Sequence, residues 1–255
     1  MRVSILCLLG IALLSSFANA QSDEEILSFY RETGLTFSTI EGDSILKVGS
    51  ELVKEVYGSL GIPVTIEIMP GKRALQQASV GNVDGEVVRT VRVQELRPTL
   101  IRLSPHIIKG SGSVLVKKGR NIDVNGWPSI SEYKVGVTRG IQYTEDGVKD
   151  FQHNHVVNTD FALIEILRLG RADLIVTTRF NGLYLLNKMN LQDEIDILSP
   201  PIETFRLYNY LHVKHKALVP IVEDHLVQMT VSGELSQLRS RFKKEFWTNI
   251  ELSQE

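Results

Sequence analysis

Apolar and polar positions along the chain change period several times, and each change marks an element. Ile45, Val48, Leu52, Val56 and Leu60 recur at three- and four-residue steps, which predicts a helix over Ser44–Leu60. Asp43 or Ser44 is placed to cap its start, and Gly58 or Gly61 to end it. Before it, Leu35–Ile40 reads as a short strand followed by a Glu41-Gly42-Asp43 loop. After it, the β-branched run Val64–Met69 behind Pro63 reads as a second strand, with Pro70-Gly71 as a turn. Strand, helix, strand over this length is a βαβ unit and argues for a parallel sheet.

Two later stretches share one layout. Ala74-Leu75 runs to Gly81-Asn82-Val83-Asp84 and then Gly85-Glu86-Val87-Val88-Arg89; Ala162-Leu163 runs to Gly170-Arg171-Ala172-Asp173 and then Leu174-Ile175-Val176, ending near Arg179. Each reads as a helix, a Gly-x-x-Asp stop and a buried strand that finishes at an arginine, because a left-handed glycine ends a helix within a few residues of the next strand. That suggests two similar lobes. Further strands are expected at Ser113–Lys117, at Lys134–Thr138 before Arg139-Gly140, and in the alternating segment Phe205–Lys216. Helices fit Leu218–Met229 and, after Ser232-Gly233, the face Leu235, Leu238, Phe242 and Phe246. Phe246-Trp247 is expected to dock that last helix by packing.

The first twenty residues follow a different logic. Arg2 precedes an apolar run from Val3 to Leu14, and Ala18-Asn19-Ala20 is a small-x-small cleavage site, so residues 1–20 read as a secretory signal peptide. The run is shorter than the roughly 20 residues a membrane span needs. Cys7 lies inside it, not at the end where a lipoprotein carries its cysteine, so no lipid anchor is expected. Cys7 is also the one cysteine of the 255 residues, so cleavage removes disulfides and thiolate chemistry from consideration. With 43% hydrophobic and 23% charged residues the remainder is an ordinary globular chain, long enough for two lobes of about 100 residues each. A formal charge of −2 gives no support for nucleic acid as a partner.

Taken in order, these elements resemble the family 3 periplasmic solute-binding proteins, best known for binding polar amino acids for uptake transporters. The resemblance rests on the segment Ala74 to Asp84, on Arg97 through Ser104-Pro105, and on Ser113 to Gly119. It continues through Val135 to Gly140, Ala162 to Thr178, Asn181 to Leu186, and Ser232 to Leu235 with Phe246-Trp247. It implies an α/β, two-lobed fold, each lobe a mostly parallel sheet flanked by helices, joined by two crossover strands. Lobe one would hold residues 21–113 plus 209–255 and lobe two 114–208, with a small ligand in the cleft between them. It also implies a periplasmic monomer serving an inner-membrane ABC permease or a membrane sensor, with no cofactor.

Ligands of open α/β sheets bind beyond the carboxyl ends of the strands. That rule nominates Glu41, Arg73, Arg89, Thr90, Arg139, Gln142, Thr178 and Arg179, and the resemblance adds Arg97 as a clamp for a carboxylate. The family's aromatic after the first strand is replaced by Glu41-Gly42-Asp43-Ser44-Ile45, and its ligand-ammonium aspartate by Thr177-Thr178-Arg179. Arg73, Arg89, Arg139 and Arg179 together suit an anionic or carboxylate-bearing ligand, since a guanidinium fork donates paired hydrogen bonds. The bland alternative is that these arginines are solvated or pair with Glu41, Glu86 and Asp146. His153 with His155 and His212 with His215 lack a third ligand in a metal-binding pattern, and the first pair reads as a solvated turn. No catalytic motif accompanies Glu41 or Glu86. Expressed in a Gram-negative host, the protein is expected in the periplasmic fraction with Gln21 as its first residue; an intact-mass measurement showing Met1 retained refutes this.

Overall fold

The computed structural model describes residues 22–42 and 44–252. The signal-peptide reading and the capping role offered for Asp43 fall outside them. In chain order the elements are α1 (Asp23–Thr33), β1 (Leu35–Ile40), α2 (Ser44–Gly58), β2 (Val64–Met69), α3 (Gly71–Ser79) and β3 (Gly85–Arg89). There follow α4 (Arg92–Leu96), β4 (Leu100–Arg102), β5 (Ile108–Lys117), β6 (Val135–Thr138), α5 (Gln142–Val148), β7 (Asn154–Val157) and α6 (Asp160–Arg168). The chain ends with β8 (Leu174–Thr178), α7 (Arg179–Lys188), β9 (Ile195–Ile197), β10 (Glu203–His212), α8 (Val219–Val231) and α9 (Glu234–Leu252).

The sheet order β2-β1-β3-β10-β5-β8-β6-β7 contains one unit twice. Around β1, strands β2 and β3 pair in parallel; around β6, strands β7 and β8 do the same. Each triplet then accepts one antiparallel neighbour, β10 beside β3 and β5 beside β8. Those two strands are ten residues each and pair with one another from Glu203↔Gly112 to Leu207↔Ile108. The chain thus has two α/β halves tied by two long crossover strands. Both faces of each half are covered. Phe37, Leu52, Val87 and Leu211 belong to the core under α2, α8 and α9, and Ala78, Val93, Leu100 and Tyr210 to the core opposite. The second half has its own pair, with Val114, Val135 and Val137 on one side and Leu115, Leu163 and Ile175 on the other.

The repeated Gly-x-x-Asp motif has the same job in each half. Gly81 (φ +79°) and Gly170 (φ +70°) take the left-handed turn that ends α3 and α6. Asp84 then accepts the backbone N–H of Thr36 at 2.7 Å, and Asp173 accepts that of Lys134 at 2.9 Å. Each aspartate therefore holds the start of the central strand of its triplet, at the end of the sheet away from the strand carboxyl ends. Asp84 also meets His215 Nε2 at 2.7 Å and Lys214 Nζ at 2.8 Å, and Tyr30 Oη lies 2.8 Å from His215 Nδ1. This ties α1 and the segment after β10 to the first half.

Several boundaries differ from the sequence expectation. Pro70-Gly71 is not a free turn: Pro70 is the N-cap and Gly71 the first residue of α3, three residues before Ala74. Segment 213–216 is not extended, because Val213–His215 forms a 3-10 turn that carries His215 to Asp84. His155 sits on β7, a parallel edge strand beside β6, rather than in a solvated turn; its polar composition disguised an edge that one neighbour is enough to hold. Helix α1 was not anticipated. Its Ser22 and Glu25 form a reciprocal capping box.

Burial opposes ionisation of Asp84, but hydrogen bonds from His215, Lys214 and Thr36 outweigh it and hold the carboxyl well below the usual range. A depressed carboxylate adds stability above its unfolded value of about 3.9 and loses it as pH falls toward the folded one. Asp84→Asn is expected to cost about 1–3 kcal/mol in urea unfolding at pH 7, with the gap to the parent narrowing below about pH 4. A pH-independent gap refutes this assignment.

Candidate functional site

The carboxyl ends of β1, β3, β6 and β8 face one another across the gap between the halves, and the gap is nearly shut. The central cavity has a volume of about 40 Å³, room for a few water molecules. Ile40, Ile45, Val88, Ile141, Phe205 and Leu207 give it an apolar wall; its polar lining includes Arg89, Thr90, Gln142 and Thr178. Two larger cavities flank it, one of about 420 Å³ beside Glu41, Arg139 and Asp160, the other of about 350 Å³ beside Trp127, Asp146 and Glu203. A fourth, of about 850 Å³, lies along the crossover strands.

Contacts between the halves close this gap. Asn181, the third residue of α7, accepts the Ser44 N–H at 3.2 Å and the Ser44 hydroxyl at 3.0 Å at the start of α2. The Asn181 amide donates to Asp160 Oδ2 at 2.8 Å and Thr177 Oγ1 at 3.1 Å, and Thr138 donates to Asp160 Oδ1 at 2.9 Å. Ser44 and Asn181 are both buried, so this network satisfies groups that would otherwise be costly. Arg92 pairs with Asp146 at 2.8 Å and Lys72 with Glu145 at 4.0 Å. Gly71 and Gly140 allow backbone contact: a Cβ on Gly71 would lie 2.6 Å from the Gly140 carbonyl oxygen. At one edge Phe246 and Trp247 of α9 pack on Phe180 of α7, with ring centroids 5.0 and 5.3 Å apart. The docking expected of this pair is onto the other half of the molecule.

Arg89 is the one expected arginine at the central cavity, and it is already engaged. Its Nε and Nη2 donate to the two carboxylate oxygens of Glu86, each at 2.9 Å, and Nη2 also donates to the Gly71 carbonyl at 2.9 Å. Glu86 is fully buried; burial pushes its carboxyl up, against the pull of Arg89. What remains is Nη1, which forms no hydrogen bond among the described residues and so keeps two N–H donors.

The other nominated residues separate by cavity. Thr90, Gln142 and Thr178 join Arg89 at the central cavity, where Gln142 Nε2 donates to Asp146 and Thr178 Oγ1 caps α7 through the Asn181 N–H. Glu41 and Arg139 border the 420 Å³ cavity, Arg139 Nε donating to Asn158 at 2.9 Å. Arg179 borders the hinge-side cavity instead. Arg73 and Arg97 border none of the four. The early start of α3 buries Gly71, Ala74 and Ala78 as its stripe and leaves Arg73 outside it. The short helix α4 sends Arg92, not Arg97, to the opposite half. Sequence reasoning missed Ser44, Asn181, Asp160 and Arg92, which carry no motif; an asparagine in the first turn after a strand was the one available hint.

No protein-family model and no curated protein matches the chain. Solved structures do. A mutant of an arginine-binding protein from T. maritima superposes with TM-score 0.68 at 15% identity, covering 85% of this chain and 98% of that one. EhuB in complex with hydroxyectoine gives TM-score 0.70 at 16% identity over 89% and 96%. The GluR0 ligand-binding core with L-glutamate gives 0.69 at 11% over 82% and 97%. The chain therefore has the two-lobed periplasmic-binding-protein fold. Hydroxyectoine and L-glutamate are the ligands of the last two neighbours, and the likeness bears out the two-lobed fold that the order of the motifs implied.

A buried ion pair resists loss of one partner more than loss of both. Glu86→Gln and Arg89→Met are each expected to lower the unfolding free energy by about 3–5 kcal/mol, and Glu86→Leu with Arg89→Met by clearly less than either. Additive losses in urea titrations would show that the two side chains act independently.

Proposed function

We propose that this protein captures a small polar solute between its lobes outside the cytoplasm and passes it to an inner-membrane permease. The observation that carries this reading is the central cavity, closed between the halves at the carboxyl ends of β1, β3, β6 and β8. At about 40 Å³ it has no room for a solute, so the lobes part to admit one and close around it less far than they do here. Fold neighbours that bind arginine, hydroxyectoine or glutamate support the same role. The protein acts as a binder and carries out no reaction.

The lining suggests the chemistry of the solute. Glu86 offsets the Arg89 charge, yet Nη1 still offers two donors, which suits a carboxylate or amide oxygen. Ile40, Ile45, Val88 and Phe205 suit a short apolar body, and Thr90 and Gln142 supply further polar contacts. A thermal-shift screen of small carboxylates and amino acids is expected to yield a ligand that raises the melting temperature. Thr90→Ala and Gln142→Ala should each weaken it by about two- to tenfold, as for loss of one hydrogen bond. A screen in which every hit binds both variants as tightly as the parent overturns this site. Turnover of a bound compound overturns the binding role itself.

A further inference from the structure

The 850 Å³ cavity is the largest of the four described and differs from the central one in chemistry. Lys109 on β5, Arg206 on β10, Arg179 at the start of α7 and Lys243 on α9 all line it, and no carboxylate does. None of the four enters an ion pair among the described residues, although Arg31, Arg92, Arg120, Arg168 and Arg241 each do. The neighbouring Arg239 is fixed by donating to the backbone carbonyls of Ile107 at 2.6 Å and His106 at 2.7 Å, so it adds a fifth positive charge nearby.

The field these groups create is felt by their neighbours. The His106 imidazole is lowered to about 4, first by burial and then by Arg239, Lys109 and Arg206. Lys243 is pushed down by burial and by Arg239. Cations gathered in a concave space without a counter-charge repel one another, and an anion offsets that cost. Two guanidinium forks and two ammonium groups suit an oxyanion with several acceptor oxygens.

We propose that this hinge-side pocket binds a small oxyanion carrying two or more negative charges, such as a phosphate group or a di- or tricarboxylate. The site goes beyond the solute cleft. It shares Ile45, Thr90 and Phe205 with the central cavity, but its charges come from other residues. Lys243 lies on a helix packed against the first half, Arg179 belongs to the second, and Lys109 and Arg206 sit on the strands joining them. A bound anion therefore bridges the halves and favours the closed form. By linkage it tightens cleft binding as much as a cleft ligand tightens anion binding.

The test is calorimetric titration of the full mature protein with inorganic phosphate and, separately, citrate, at ionic strength held constant with sodium chloride. Saturable binding of at least one is expected. Arg206→Gln with Lys243→Gln should weaken it at least about tenfold, from loss of charged hydrogen bonds. Lys109→Gln with Arg179→Gln should do the same, while Lys118→Gln, on a turn remote from the cavity, should not. Absence of saturable binding at millimolar phosphate and citrate, or binding retained by both double variants, overturns the proposal. The phosphate and citrate arms identify which oxyanion the pocket prefers. Neither needs a cleft ligand, so this result and the solute screen succeed or fail separately.

Discussion

A carboxylate buried within a strand must be given a cation, and meeting that demand organises the middle of this molecule. Glu86 has no exposed surface, and Arg89, three residues on along β3, reaches back to it with two parallel hydrogen bonds. The same guanidinium holds the Gly71 carbonyl, which sets the start of α3 and brings Gly71 against Gly140 of the other half. Behind the pair, Asn209 of β10 donates to the Glu86 and Val87 carbonyls and accepts from Tyr57. One charge pair thus fixes a strand end, a helix start and a crossover strand. It also removes most of the positive charge that Arg89 would bring to the cleft.

The two ends of each half do different work. At the starts of the central strands, Asp84 and Asp173 close the sheet by accepting backbone hydrogen bonds. At the carboxyl ends the side chains meet across the gap: Ser44 with Asn181, Arg92 with Asp146. The repeated unit gives both halves the same polarity, so their strand ends can face each other only when the crossover strands run antiparallel between them. Positive charge is then divided by place. The central cavity has a largely apolar wall with a neutralised arginine, and four cations without an ion pair among the described residues line the cavity along the crossover strands.

Much of this was legible along the chain. Strands Leu35–Ile40 and Val64–Met69 and the helix from Ser44 follow from local period and punctuation, and the Gly-x-x-Asp repeat foretold two similar halves. These features depend on near neighbours, which a linear reading contains. Glu86 on the strand and Arg89 at its end were both visible, and their pairing was one of two readings the residues allowed. Arg73 and Arg97 went elsewhere because a helix beginning three residues early, and a short helix where none was expected, changed which side chains point where.

The sequence by itself determined the main strands and helices and their order, since hydrophobic period and turn chemistry act within a few residues, while α1 and α4 escaped it. Only the tertiary structure decided which arginine is spent on a buried carboxylate and which cations stand unpaired. It also decided that Asn181 spans the gap to Ser44, 137 residues away in the chain. The reason is physical: the fate of a charge depends on which partners and how much water surround it, and both are assembled from distant parts of the chain.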